Sequence, residues 1–292
     1  MSIGRHCRCG CPGWFSVEEK IMLKKKSIGV ALACALALGA WSGSTLATPI
    51  DVNGVHWDSS SPFDLTIQSL NLRETSVAAV GDILTGYGQI GSINGSNSFC
   101  TGCDLTFTFT YTVHSIIGNQ VAFNLGSFQF YTQAAGSFDF GNPTSVGGTP
   151  WLTLTGHTAP RTGFADPLGQ LYATVNGTIS NPTAGSGGFG LVDASGGPAN
   201  FYVNTNTISD GIGGFADFSL ASSFQFFPAN FCASISPDPT SVCHYPIEGN
   251  GSLIGRSTVP VPEPSEMGLL GLGLAFLGLL VGRRRKETDG RA

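Results

Sequence analysis

Through the interior of the chain, apolar and polar residues alternate with a period of two. In the clearest run, Asp104 to Val113, Leu105, Phe107, Phe109, Tyr111 and Val113 fall on one face and Thr106, Thr108, Thr110 and Thr112 on the other. Successive side chains of an extended strand point to opposite sides, so this spacing predicts one core face and one solvated face. Further strands are predicted at 65–72, 77–84, 121–130, 151–155, 171–179, 200–203, 215–226 and 252–256. Phase slips between Ile67 and Leu70, and between Leu125 and Phe128, predict bulges or turns within two of them. Clusters rich in Gly, Asn, Ser and Pro at 91–98, 142–150 and 181–188 separate the strands. The pattern predicts an all-β domain over 48–257, an antiparallel β-sandwich or jelly roll with the phenylalanines inside. Gly126-Ser-Phe-Gln-Phe130 recurs as Gly136-Ser-Phe-Asp-Phe140, and more weakly at Ser223 to Phe226, as expected of strands with equivalent inward positions. The period does not continue, so no repeat array is predicted.

The two ends of the chain break this pattern. Lys24, Lys25 and Lys26, an apolar core from Ile28 to Leu38 and small residues from Ser42 to Ala47 read as a secretory signal over 22–47, cut by signal peptidase after Ala47. Translation is expected to begin at Met22, which makes 1–21 an extension from a mis-assigned start. Cys34 is disfavoured as a lipid-acylation site, because the apolar run continues to Ala40 and alanine stands three residues before it. At the other end a linker over 258–266 holds Pro262, Glu263 and Pro264. An apolar run over 267–282 and a tail over 283–292 beginning Arg283, Arg284, Arg285 and Lys286 follow. Two prolines around one residue fix φ on both sides and withhold backbone donors, so the triad is expected to be extended and exposed. As a helix the uncharged run spans about 24 Å against a hydrocarbon core of roughly 30 Å, a short transmembrane segment. The arginines behind it place the C-terminus in the cytoplasm and the preceding domain on the exported side.

This order of triad, short Leu/Gly-rich helix and arginine cluster resembles the PEP-CTERM sorting signal of Gram-negative bacteria. The resemblance implies processing near the triad by exosortase, a membrane-embedded cysteine transpeptidase. Pro262, Glu263 and Pro264 would be the recognition element, the apolar helix a transient hold in the inner membrane, and Arg283, Arg284 and Arg285 a cytoplasmic stop. It further implies a cell-surface or extracellular protein of exopolysaccharide-producing, biofilm- or floc-forming bacteria, with extracellular polysaccharide as a partner class. The resemblance covers the tail alone, so it gives destination and handling but not the chemistry of the domain.

Between Ser27 and Glu263 there are 13 acidic residues and three basic ones, Arg73, Arg161 and Arg256, so the charge there is 3 − 13 = −10. No lysine occurs in that stretch. Nucleic acid is excluded as a partner, because phosphates demand clustered Lys and Arg. The repeated Phe, Leu, Val and Ile argue for a packed domain over a disordered one.

Four cysteines fall in the mature region: Cys100, Cys103, Cys232 and Cys243. An even number in an exported chain predicts two disulfides, and of the three connectivities the two local pairs are favoured. Cys232 with Cys243 would close a loop holding Pro237 and Pro239, and Cys100 with Cys103 would staple a turn before the strongest strand. Redox use of Cys-x-x-Cys calls for a helix N-terminus, and a Thr/Phe strand follows instead. A zinc site is disfavoured because Cys232 and Cys243 lack knuckle spacing.

No nucleophile elbow, His-Glu-x-x-His or calcium loop occurs. Gly-x-Gly-x-x-Gly matches at 86–91 and 185–190 open no helix and read as turns or flexible strand ends. His56, His114, His157 and His244 are scattered singly. Trp57, Trp151, Tyr131 and Tyr202 are candidate sugar-contact aromatics, though Trp and Tyr serve equally in a sandwich core. No catalytic residue, metal site or cofactor is predicted. The reading is a non-enzymatic exported protein; the alternatives are a carbohydrate-binding module of the cell surface and an exported hydrolase with an unrecognised site.

Overall fold

The computed structural model describes residues 49–59, 65–227 and 232–258. The signal at 22–47 and the sorting tail from 259 onward lie outside them. Among the described residues there are fifteen strands: β1 (Ile50–Val52), β2 (Val55–Trp57), β3 (Leu65–Glu74), β4 (Ile83–Ile93), β5 (Cys103–Ile117), β6 (Gln120–Ala134), β7 (Thr149–His157), β8 (Leu171–Thr174), β9 (Gly177–Thr178), β10 (Asn181–Pro182), β11 (Ser186–Gly196), β12 (Ile208–Ser209), β13 (Phe215–Ala216), β14 (Phe218–Phe226) and β15 (Ile247–Gly255). One helical turn, α1 (Asn200–Val203), stands where the alternation predicted a strand. Four residues carry too little period to separate the two conformations.

Nine strands form one antiparallel sheet in the order β14-β15-β3-β4-β5-β6-β7-β11-β8, and β14 pairs again with β11. The sheet is therefore closed. β7 and β8 occupy one place in the wall: both pair with β6 on one side and β11 on the other, in the same direction. They are one strand interrupted by an excursion over 158–170. With that place counted once, the nine strands make a barrel of eight positions in which each strand pairs with the next and β15 returns to β3. The antiparallel all-β expectation holds, and its connections are up-and-down between neighbours.

The alternation sets which face is inside. On β5, Leu105, Phe107, Phe109, Tyr111 and Val113 are all buried, while Thr108, Thr110 and Thr112 face outward and are half-buried. This is the inverse of a membrane barrel, whose apolar residues face lipid. Both phase slips are real irregularities. The register of β3 shifts around Ser69; Leu70, 64% exposed, still faces outward in the phase set by Leu65 and Ile67, and the shift brings Leu72 and Glu74 inside. On β6, Leu125 takes a left-handed φ of 51° and is 73% exposed.

The glycine motifs are corrected by the structure. Gly86 and Gly88 are not in a turn; they are inward positions of β4, paired with Phe109 and Phe107 on β5. The tips of the two phenyl rings reach over the glycines, into space that a Cβ would occupy: one at Gly88 would stand 2.7 Å from Phe107 Cζ. A barrel this narrow fills its interior by setting large residues against small ones. The second match starts in a turn at Gly185 and runs on into β11 through Gly187, Gly188 and Gly190. The echo is also reinterpreted. Phe128 and Phe130 point into the barrel, whereas Phe138 and Phe140 sit in the 135–148 connection, where Phe140 covers Arg73 at 4.8 Å on the outside.

Strand directions sort the connections. One end carries the β1–β2 hairpin, the 94–102 turn, the 135–148 and 197–217 connections, and Thr258. The other carries 75–82, 118–119, 175–185 and 227–246. Leu65 pairs with Gly255, so the chain enters and leaves the barrel at the same end. There the β1–β2 hairpin is bridged to the turn by Val55 and Cys100 and packs Trp57 into the main core.

Candidate functional site

The sorting residues Pro262, Glu263, Pro264, Arg283, Arg284 and Arg285 lie outside the described residues. The last described one, Thr258, is held at the barrel's end by a hydrogen bond from its amide to the Tyr202 carbonyl, 2.7 Å. The cysteines form the two local pairs. Cys100–Cys103 staples the turn into β5 with Cα atoms 5.2 Å apart, and Cys232–Cys243 closes part of the β14–β15 connection with Cα atoms 5.6 Å apart. As disulfides, they leave no thiolate set for zinc.

Two of the candidate sugar-contact aromatics are corrected. Trp57 is 3% exposed and Trp151 0%. Their rings meet edge to face at 6.0 Å, and Tyr202 meets Trp57 at 90°. The Trp151 indole N–H donates to the Val52 carbonyl at 3.1 Å. These rings close the end of the barrel, and perpendicular packing offers no flat platform for a sugar. Tyr131 is half-buried on the outer face, its hydroxyl donating to Gln129 Oε1.

One grouping was invisible in the sequence. His157, at the end of β7, receives Asp193 from β11 on Nδ1 at 2.8 Å and Asp210 on Nε2 at 3.4 Å. Partial burial opposes protonation of the ring, but the hydrogen bonds and charges of the two carboxylates outweigh it and raise its pKa above the usual value. Asp210 in turn accepts the amides of Ile212 and Gly214 at 2.9 and 2.8 Å. Both ring nitrogens are committed to carboxylates, so neither is left to relay a proton from a nucleophile. The arrangement is a clamp fastening the 208–216 hairpin to the wall. No sequence signal joins residues 36 and 53 positions apart.

The second grouping lies inside the barrel. A cavity of about 60 Å³ is walled by Ile67, Leu72, Ile90, Phe107, Phe109, Phe128, Phe130, Leu220 and Leu253, with Glu74 and Tyr111 as its polar members beside three serines. A second space, about 40 Å³, shares Glu74, Leu171 and Ser222 with the first and extends under the 75–82 and 175–185 connections. Glu74 arrives inside because of the β3 bulge; in unbroken alternation it would share a face with Leu70, outside. Among the described residues no donor or cation meets its carboxyl, and burial pushes its pKa up to about 8. Tyr111 is wholly buried, and among the described residues its hydroxyl has no hydrogen-bond partner. The ring fits because residue 126 opposite it is glycine; any Cβ at that position would collide with it.

Two disulfides around an apolar-inside barrel are the mark of a domain folded in an oxidising compartment, outside the cytoplasm. The tail supplies the particular family feature. Residues 260–286 match the model of the PEP-CTERM protein-sorting motif, so the chain is an exported protein sorted by exosortase. The match takes in the triad, the apolar run and Arg283 to Lys286, and begins two residues beyond Thr258. No curated protein and no solved structure matches the chain.

Proposed function

We propose that the protein is a non-enzymatic component of the cell surface or extracellular matrix of a biofilm-forming bacterium, where extracellular polysaccharide surrounds it. In this reading signal peptidase removes 22–47 and the apolar run holds the barrel at the inner membrane. Exosortase then cuts near Pro262-Glu263-Pro264 and frees it. The observation that carries the reading is the sorting motif starting directly after a finished barrel whose two termini leave from one end. A cut in the linker would remove the membrane hold without touching a strand.

The non-enzymatic part draws support from how the polar side chains are used. Asp104 accepts the amides of Gly136 and Phe138, Asp217 those of Ala194, Thr205 and Asn206, and His157 is bound on both nitrogens. Each of these groups holds a connection in place. Mass spectrometry of surface-released protein tests the reading: the mature C-terminus is expected between 258 and 266. A released form still carrying Arg283 to Ala292 would refute the processing.

A further inference from the structure

An eight-position up-and-down barrel is just wide enough either to be filled by side chains or to hold one small ligand. This barrel sits between those cases. Large rings opposite Gly86, Gly88 and Gly126 fill much of it, yet a cavity of about 60 Å³ remains among Phe107, Phe109, Phe128 and Phe130. At roughly 10–15 Å³ per water-sized group, that is room for about four to six such groups.

Buried polar groups are ordinarily hydrogen-bonded, and each exception calls for a cause. Glu74 and Tyr111 are two exceptions facing one cavity whose other large walls are hydrocarbon. Neither is needed to fill the barrel: a leucine at 74 and a phenylalanine at 111 would pack without the desolvation cost. We propose that the barrel interior binds a small uncharged apolar molecule carrying one hydrogen-bond acceptor, its hydrocarbon body among the four phenylalanines and its acceptor at Glu74 and Tyr111. At neutral pH Glu74 is largely the neutral acid, because burial raises its pKa to about 8. Both groups then present an O–H, and a carbonyl or ether oxygen satisfies what they lack. An organic cation fits less well, since it would bring a charge into an apolar interior whose carboxyl is itself uncharged. The inference concerns the barrel alone and is independent of how the tail is processed.

The test uses the exported protein and three probes of equal size: cyclopentanone, methylcyclopentane and cyclopentylamine, titrated by methyl and amide NMR. Cyclopentanone is expected to give saturable shifts at Ile67, Leu220 and 107–111, and to bind more tightly than the other two. Tyr111→Phe keeps the ring that Gly126 accommodates and should weaken the ketone about threefold to tenfold, leaving the hydrocarbon unchanged. Glu74→Leu should do the same, and raising the pH through 8 should weaken the ketone wherever Glu74 is retained but not in Glu74→Leu. If Glu74→Leu fails to fold, Tyr111→Phe and the pH titration still decide. Equal binding of ketone and hydrocarbon, tighter binding of the amine, or no saturable shift with any probe would overturn the proposal.

Discussion

The ring of Phe109 lies over Gly86 of the neighbouring strand, in the volume a β-carbon would take, while the Arg73 carbonyl closes the same spot 2.6 Å from that position. The glycine is thus part of the core, as the complement of an aromatic residue. Gly86→Ala is expected to destabilise the barrel by about 1–3 kcal/mol through overpacking. Gly147→Ala, where a Cβ would meet nothing within 4 Å, should stay within about 0.5 kcal/mol. Urea unfolding of the two variants compares them directly, and an equal effect would show that the ring is free to move aside.

Glu74 makes stability depend on pH with a definite sign. Its folded pKa is raised from 4.5 to about 8 by burial, so between these values the folded state holds a proton that the unfolded state has released. Stability is therefore highest below the unfolded value and falls as pH rises through that window, by up to about 1.4 kcal/mol per unit. Glu74→Gln, uncharged at every pH, should flatten this decline in denaturant titrations. A slope unchanged in that variant would assign the proton to another group.

The His157 clamp carries its own pH signature. Because the folded pKa is raised above 6.5, the clamp's contribution is complete below the unfolded value and is lost as pH rises through the folded one. Amide exchange across 208–216 should speed up over that rise, beyond the intrinsic change, and His157→Gln should remove the dependence. Exchange that follows only the intrinsic rate would mean the hairpin is held by other contacts.

The two disulfides should differ in weight. With sequence separations of 11 and 3, loop-closure entropy assigns about 3 kcal/mol to Cys232–Cys243 and about 2 to Cys100–Cys103. Paired serine variants measured by thermal unfolding are expected to follow that order. The reverse order would show that the 94–102 turn, which bears the β1–β2 hairpin, matters more than loop length.

Several features of this protein were readable from local pattern. Period-two runs marked β3, β5, β6, β7 and β14, because a strand half-covered by a core must alternate whatever its neighbours are. The two slips at Leu70 and Leu125 marked real irregularities, since a residue out of phase must either bulge or be buried wrongly. The tail was readable for a similar reason: a triad, an apolar run and a charge cluster act through their order along the chain. Only the tertiary structure could decide the rest. β4 is predicted too early, at 77–84 where the structure has a connection up to residue 82, and β11 is missed, because several inward positions of both strands (Gly86, Gly88, Gly188 and Gly190) are glycines, and a glycine beneath a ring on another strand looks identical in sequence to a glycine in a turn. The burial of Trp57 and Trp151, the meeting of His157 with Asp193 and Asp210, and the turning of Glu74 into the interior all depend on which strand lies beside which. Closure of the sheet through β15 and β3 brings together residues far apart in the chain, and no local alternation encodes that partner choice.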